Sequence, residues 1–324
     1  MQLVSTYYSD FIAYMEDNSF DKDPSGLYQP VDYIMQLGGK RLRPILVLMS
    51  YRLFHDDHEP ALPLGLAVEV FHNFSLVHDD IMDAAPLRRG KPTVHELYDV
   101  NTGILSGDVM LIKCYEFLLR APDKLIPALI QTFNELAIKV CEGQQYDMDF
   151  ETRNDVTIPE YLKMIEYKTA ALIEGCLKLG AILAECGTEN GQHLAAFGRN
   201  IGLAFQMQDD ILDTFGDPDK FRKKVGGDIL NNKKTYLLLT AQAIADEGDR
   251  KQLEKWISSK KADEQEKVQA VTYLFKKYQV LERATEQMQL YQTKAFEHLS
   301  QVTAAAERKQ ELMDLANELL VREF

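Results

Sequence analysis

The chain has 324 residues, and its 50 acidic side chains outnumber 36 basic ones, a formal net charge of −14 at pH 7. That excess excludes non-specific nucleic-acid binding and docking on an anionic membrane, both of which reward basic patches. Few Gly and Pro, much Leu, Ala, Glu, Lys and Gln, and no linker or low-complexity tract predict a single all-α domain over residues 1–324.

Helical periodicity fills almost the whole sequence, and no period-two strand set competes with it. The predicted helices cover about 5–18, 27–37, 43–56, 61–83, 101–119, 124–149, 158–186, 190–216, 231–246, 249–259, 263–276 and 278–321. Breaks fall at Pro24, Gly38-Gly39, Pro60, Pro86, Gly90, Pro122, Pro159, Gly187, Pro218 and Gly226-Gly227. Met1 to Ser5 open the chain and no basic residue precedes Lys22, so neither a secretory signal nor an Arg-rich transit peptide is expected. The apolar run Ile45–Met49 is far short of a membrane span. Cys114, Cys141, Cys176 and Cys186 lack CxxC spacing and read as reduced core residues of a cytoplasmic protein.

The second predicted helix runs into Gly38-Gly39-Lys40-Arg41-Leu42-Arg43-Pro44, three cations around a glycine turn. Gly lets backbone approach an anion and Arg grips phosphate oxygens two at a time, so the segment reads as an anion cradle. The fourth helix ends in Asp79-Asp80-Ile81-Met82-Asp83, and Arg88-Arg89-Gly90-Lys91-Pro92-Thr93 follows at once. The seventh contains Tyr167-Lys168-Thr169, where a lysine among small apolar residues calls for an anionic partner; Thr169 could alternatively bond a carbonyl one turn back. The eighth ends in Asp209-Asp210-Ile211-Leu212-Asp213, followed by Lys223-Lys224-Val225-Gly226-Gly227-Asp228 and Lys233-Lys234-Thr235.

The same acidic pattern thus occurs twice, each time on an apolar helix and each time before cations. Residues four apart share a helix face, so Asp79 with Asp83, and Asp209 with Asp213, can converge on an ion while Asp80 and Asp210 point elsewhere. Carboxylates among Phe74, Leu76, Val77, Ile81 and Met82 are costly unless a cation neutralises them. Oxygen-only ligation favours a hard ion such as Mg²⁺, which combines a few carboxylates with water and substrate phosphates.

From Gly38 to Thr235 the chain resembles the trans-isoprenyl diphosphate synthases, the polyprenyl synthetases. The resemblance rests on Gly38 to Pro44, Leu76 to Asp83, Arg88-Arg89, Lys168-Thr169 and Gln206 to Asp213, in the family's order. It implies the isoprenoid synthase fold, about 10–13 helices around a central cavity, and a homodimer. It further implies that Asp79, Asp83 and Asp209 hold Mg²⁺, three ions per site, and that Asp80 and Asp210 complete the catalytic motifs. Lys40, Arg43, His72 and Arg89 would bind isopentenyl diphosphate. Arg88, Lys168, Gln206, Lys224 and Lys233 would bind the allylic diphosphate, Lys224 being preferred to Lys223 on the following Gly and Asp.

The chemistry this implies is ionisation of an allylic diphosphate, with the carbocation faced by Thr169 and Gln206 oxygens in a site closed to water. The isopentenyl double bond then attacks, and the released diphosphate takes the proton. Loss of Asp79 should abolish turnover, whereas loss of Arg43 should mainly weaken isopentenyl diphosphate binding. The resemblance makes Phe74, with Ser75, the floor of the product tunnel; helix geometry, which sets Phe74 roughly 7 Å along the axis from Asp79 but round the side, favours Ser75 or Phe71. The expected product is C15–C20, with a slight lean to C20. A class I terpene cyclase would lack the Gly38–Pro44 cradle, a noncatalytic subunit would lose the acidic motifs, and a metal phosphohydrolase reading of His78-Asp79 needs more histidine ligands than the seven His provide.

Overall fold

A computed structural model describes residues 2–217, 226–259 and 263–320, the side chains from residue 5 on. The described chain is all-α apart from one two-residue hairpin. The helices are α1 (Gln2–Asp17), α2 (Ser25–Gln36), α3 (Leu42–Arg52), α4 (Leu62–Met82), α5 (Val94–Leu97), α6 (Val100–Leu118), α7 (Ile126–Thr152), α8 (Ile158–Ile165), α9 (Ala171–Leu183), α10 (Thr188–Phe215), α11 (Gly227–Leu230), α12 (Tyr236–Ile244), α13 (Glu247–Ser258), α14 (Glu264–Lys277), α15 (Val280–Gln301) and α16 (Ala306–Leu320). Residues fall into two compact units: 1–134, 175–194 and 303–311 form the first, and 135–174, 195–302 and 312–324 the second.

In the first unit α4 is the core helix. Leu64, Leu66, Val68, Val70 and Phe71 are all nearly inaccessible, so the helix is buried on most sides, with Glu69 and Asn73 among its buried polar exceptions. The stretch Glu59–Met82 is long and apolar enough to cross a membrane by length and composition, and 67% of its most apolar window is buried inside the protein. Helix α6 packs closely on α4 because Gly107 leaves room for the His78 ring, which an added Cβ would meet at 2.2 Å. Helix α4 ends in a Schellman arrangement: Ala85 N–H bonds the Asp80 carbonyl at 2.9 Å and Ala84 N–H the Ile81 carbonyl at 3.2 Å, with Ala84 at φ 48°.

In the second unit a capping box, Thr157 with Glu160, starts α8. Between α8 and α9 the predicted continuous helix 158–186 is interrupted by a π-turn, Glu166–Ala170, which carries Lys168 and Thr169. Gly143 on α7 and Gly202 on α10 admit this bulge, since a Cβ at 143 would stand 2.2 Å from the Lys168 nitrogen and one at 202 would stand 2.5 Å from the Ala170 Cα.

Three other segments depart from the sequence expectation. The predicted helix 278–321 breaks after Gln301, where Thr303 instead donates from N–H and hydroxyl to Asn190 Oδ1 at 2.9 Å. The predicted helix 231–246 begins only at Tyr236, because Thr235 caps it by accepting from Leu238 N–H at 3.3 Å. Leu87–Arg88 pairs antiparallel with Lys91–Pro92 across Arg89-Gly90, both at positive φ (53° and 75°) as a two-residue hairpin turn requires.

Candidate active site

In the first unit the α4 end separates the three aspartates of its motif by environment. Asp79 is half-buried and Asp83 exposed, whereas Asp80 is 1% exposed and turned inward. Arg88 grips Asp80 in bidentate fashion: Nε lies 2.9 and 2.8 Å from the two carboxylate oxygens and Nη2 lies 2.6 Å from Oδ1. Burial opposes the Arg88 charge, but the Asp80 hydrogen bonds and charge outweigh it and raise the guanidinium above its usual value. The same Nη2 is 3.7 Å from Asp79 Oδ2. Arg88, expected at the allylic diphosphate, is therefore also the brace of Asp80.

The Gly38–Pro44 loop and the hairpin meet. Gly39, at φ 128°, has the Arg89 guanidinium 3.0 Å from where a Cβ would stand, and Arg89 Nη1 donates to the Gly38 carbonyl. One of the loop's three cations does not join the cradle. Arg41 is 4% exposed, takes a left-handed conformation (φ 47°), donates to the Met35 carbonyl and pairs with buried Glu69 at 2.5 Å. Asn73 completes the pair by donating to Glu69 Oε1 at 3.1 Å. Lys40 is exposed and Arg43 half-buried. His72 is half-buried and neutral: desolvation and then the charges of Arg43, Arg89, Arg88 and Arg41 hold its pKa well below the usual value. The structure thus brings Arg43, His72, Arg88 and Arg89 into one cationic field that calls for an anion.

Further back on α4, Phe71 is buried and lies edge-on to Phe133 at 5.3 Å, while Phe74 lies edge-on to His78 at 4.8 Å. The half-buried Ser75 spends its hydroxyl on the His72 carbonyl at 2.8 Å.

In the second unit Lys168 pairs with Asp147, the anionic partner its surroundings required. Asp147, which the sequence reading passed over, lies one helical turn after Gly143, whose small size admits the Lys168 backbone; no local sequence signal marks it. Thr169 does not bond a carbonyl one turn back; it donates to Gln206 Oε1 at 2.8 Å. Gln206 Nε2 donates to Asp210 Oδ1 at 3.0 Å, and the buried Tyr161 hydroxyl donates to Asp210 Oδ2 at 2.6 Å. Lys168, Thr169, Gln206, Asp210 and Lys233 line one pocket together with Asp147 and Asp228. Asp209 and Asp213 are half-buried, and Asp213 is committed to the following turn, accepting from Asp228 N–H at 2.8 Å. Lys223 and Lys224 lie outside the described residues.

Burial, then the neighbouring Asp228, pushes the Asp210 carboxyl up to about 8, against the pull of its Tyr161 and Gln206 donors. Since the folded carboxyl holds its proton more tightly than an unfolded one, near 3.8, the folded state loses stability as pH rises through that window. Asp210→Asn is expected to stabilise the metal-free protein, by an amount that grows between about pH 4 and 8 to the order of 2–5 kcal/mol and then levels off. Melting temperatures measured across pH check this; a gain that is flat with pH would overturn it.

Among the described residues no three His, Cys, Asp or Glu side chains converge on one point. Asp79 and Asp83 at one helix end in the first unit, and Asp209 at another in the second, are each hard oxygen donors, suited to a hydrated hard cation such as Mg²⁺ rather than to Zn²⁺.

Fold and site together define an all-α protein of the isoprenoid synthase class. The chain resembles a crystal structure of a geranylgeranyl pyrophosphate synthase with a TM-score of 0.94 and 42% identity, covering 99% of each chain. A family profile described as Polyprenyl synthetase matches residues 24–274, and the chain belongs to that family. It is 41% identical over 255 residues to a short chain isoprenyl diphosphate synthase of Methanocaldococcus jannaschii (78% of this chain, 77% of the relative). It is 35% identical over 314 residues to a geranylgeranyl diphosphate synthase of Sulfolobus acidocaldarius (95% and 94%).

Proposed function

We propose that the protein joins isopentenyl diphosphate head-to-tail to an allylic diphosphate, releasing diphosphate and giving an all-trans prenyl diphosphate of C15–C20, with a lean to C20. The observation that carries the reading is in the first unit: Arg88 reaches Asp80 and Asp79 at the end of α4 while its neighbour Arg89 packs against Gly39 of the cationic loop. An anion sink beside carboxylates is what a metal-bridged diphosphate needs.

Lys40, Arg43, His72 and Arg89 hold the isopentenyl diphosphate, and Arg88, Lys168, Gln206, Lys224 and Lys233 the allylic one. Asp79, Asp83 and Asp209 would hold Mg²⁺, three ions in all, whose charge would let diphosphate leave. Thr169 and Gln206 face the positive charge left on the allyl group as its C–O bond breaks. The isopentenyl double bond forms the new C–C bond, and a proton departs from the adjacent carbon to diphosphate.

The test is direct: purified protein is incubated with isopentenyl diphosphate, each allylic starter and Mg²⁺, and the products are sized. No elongation with any starter would sink the synthase reading, and cyclised hydrocarbon would replace it with a terpene cyclase.

Phe74 is the tunnel floor we assign, since Phe71 is fixed against Phe133 and Ser75 has its hydroxyl engaged. Phe74→Ala is expected to lengthen the product by one or more C5 units. Phe71→Ala should instead cost about 3–5 kcal/mol of stability, as for other buried aromatics. Product chromatography with unchanged length in Phe74→Ala would move the floor elsewhere.

A homodimer fits the α6 surface, where Ile104, Leu105, Ile112 and Leu119 are exposed after Leu97 and Val100. Light scattering that gave a monomer would remove this part of the reading.

A further inference from the structure

We propose that Lys267 is a positioning residue for the allylic diphosphate: from α14 it fixes the left-handed turn that presents Lys233 to that group; this rests on the prenyl-transfer reading above.

Lys233 follows a closely specified turn in the second unit. Helix α11 ends in a Schellman motif, in which Asn232 N–H bonds the Ile229 carbonyl at 3.2 Å, Lys233 N–H bonds the Asp228 carbonyl at 2.9 Å, and Asn232 takes the left-handed conformation at φ 56°. Lys233 comes directly after that left-handed residue, so its place in the pocket it lines with Lys168 and Asp228 depends on Asn232 staying there. Asparagine tolerates positive φ better than most side chains, but without glycine's freedom it gains from being held.

The hold comes from α14. Lys267 is 4% exposed, and its ammonium donates to Asn232 Oδ1 at 2.6 Å and to the Leu230 carbonyl at 3.4 Å, a helix-end oxygen outside both bonds of the motif. An ammonium has donors alone, so it turns the Asn232 amide oxygen toward itself. Both acceptors are neutral, and desolvation of the charge offsets much of what these bonds contribute to stability. An apolar side chain of similar length would fill the space as well; what the ammonium adds is a fixed place for two oxygens of the turn. The neighbouring Val268 closes on Gly226, where a Cβ would stand 2.8 Å from its methyl carbons. The turn is thus gripped at its start by Asp213 of α10, which accepts from Asp228 N–H at 2.8 Å, and at its end by Lys267. Lys267 does not line the pocket and acts through Asn232 and Lys233.

Kinetics with each substrate varied in turn test this. Lys267→Met is expected to raise KM for the allylic diphosphate about 10-fold, to leave KM for isopentenyl diphosphate within about 2-fold, and to add nothing further in a Lys233→Ala background. An equal rise for both substrates, a rise that persists in Lys233→Ala, or no rise at all would overturn the proposal. Asn232→Gly keeps the left-handed freedom but removes the Lys267 acceptor, and the same allylic rise is expected from it; an unchanged KM there would overturn the proposal even if Lys267→Met melts below the assay temperature. Binding of inorganic diphosphate with Mg²⁺, followed by calorimetry, needs no turnover: Lys267→Met should weaken it about 10-fold, and equal affinity would refute the anchor. If that difference stands while the unsubstituted protein elongates no starter, prenyl transfer falls and the role of Lys267 does not.

Discussion

Asp79→Ala is expected to lower kcat by about 10³–10⁵-fold, equivalent to about 4–7 kcal/mol of transition-state stabilisation, while the melting temperature moves by no more than about 2 °C. The two readouts separate because the motif divides its labour. Asp79 is half-buried and lies 3.7 Å from Arg88, the loose kind of ion pair that contributes little to stability. Asp80 is the structural member, buried and bidentate with Arg88, and Asp80→Ala should damage stability as well as rate. Steady-state kinetics with isopentenyl diphosphate and an allylic starter, run beside calorimetry, decide the matter. Substantial turnover in Asp79→Ala would remove this carboxylate from the metal site.

Glu69→Ala should destabilise the protein by about 3–5 kcal/mol, lowering the melting temperature by roughly 5–10 °C, because it strands the Arg41 guanidinium without a counter-charge. Both side chains are almost fully buried, at 2% and 3% side-chain exposure, and the 2.5 Å contact is supported by Asn73. Arg41 also ties down the loop that begins at Gly38, so the variant should lose affinity for isopentenyl diphosphate although Glu69 is no ligand. Replacing both partners together, Glu69→Met with Arg41→Met, should recover most of the stability, since the desolvation cost disappears with the charges. A single Glu69→Ala variant that melts like the unsubstituted protein would show the pair to be dispensable.

The helical character of the chain and the ends of α4 and α10 were legible in the sequence because both depend on local signals: periodicity, breakers and repeated aspartates. That Asp80 and Asp210 point away from their motif partners followed from helix geometry; that they are buried did not. What stayed hidden depends on partners distant in the chain. The three cations of Gly38–Pro44 look alike in sequence, and only Glu69 on α4, 28 residues later, decides that Arg41 faces the core while Arg43 faces the site. The π-turn was illegible for a similar reason. Nothing local in residues 160–174 marks a break in the helix, and the bulge exists because Gly143 and Gly202, on two other helices, make room for it. Asp147 was overlooked because its partner is Lys168, not a neighbour along α7. The bond between Thr303 and Asn190 that splits the last predicted helix spans 113 residues.

Those two glycines bear on anyone who would breed variants of this protein for new products. Mutational libraries that treat small helix residues as neutral ground will lose clones at 143 and 202, where even a methyl group collides with the main chain of the turn that carries Lys168 and Thr169. Diversity is better placed at Phe74 and its neighbours on α4, to which we assign the choice of product length, with both glycines kept invariant so that the turn carrying Lys168 and Thr169 stays where it is.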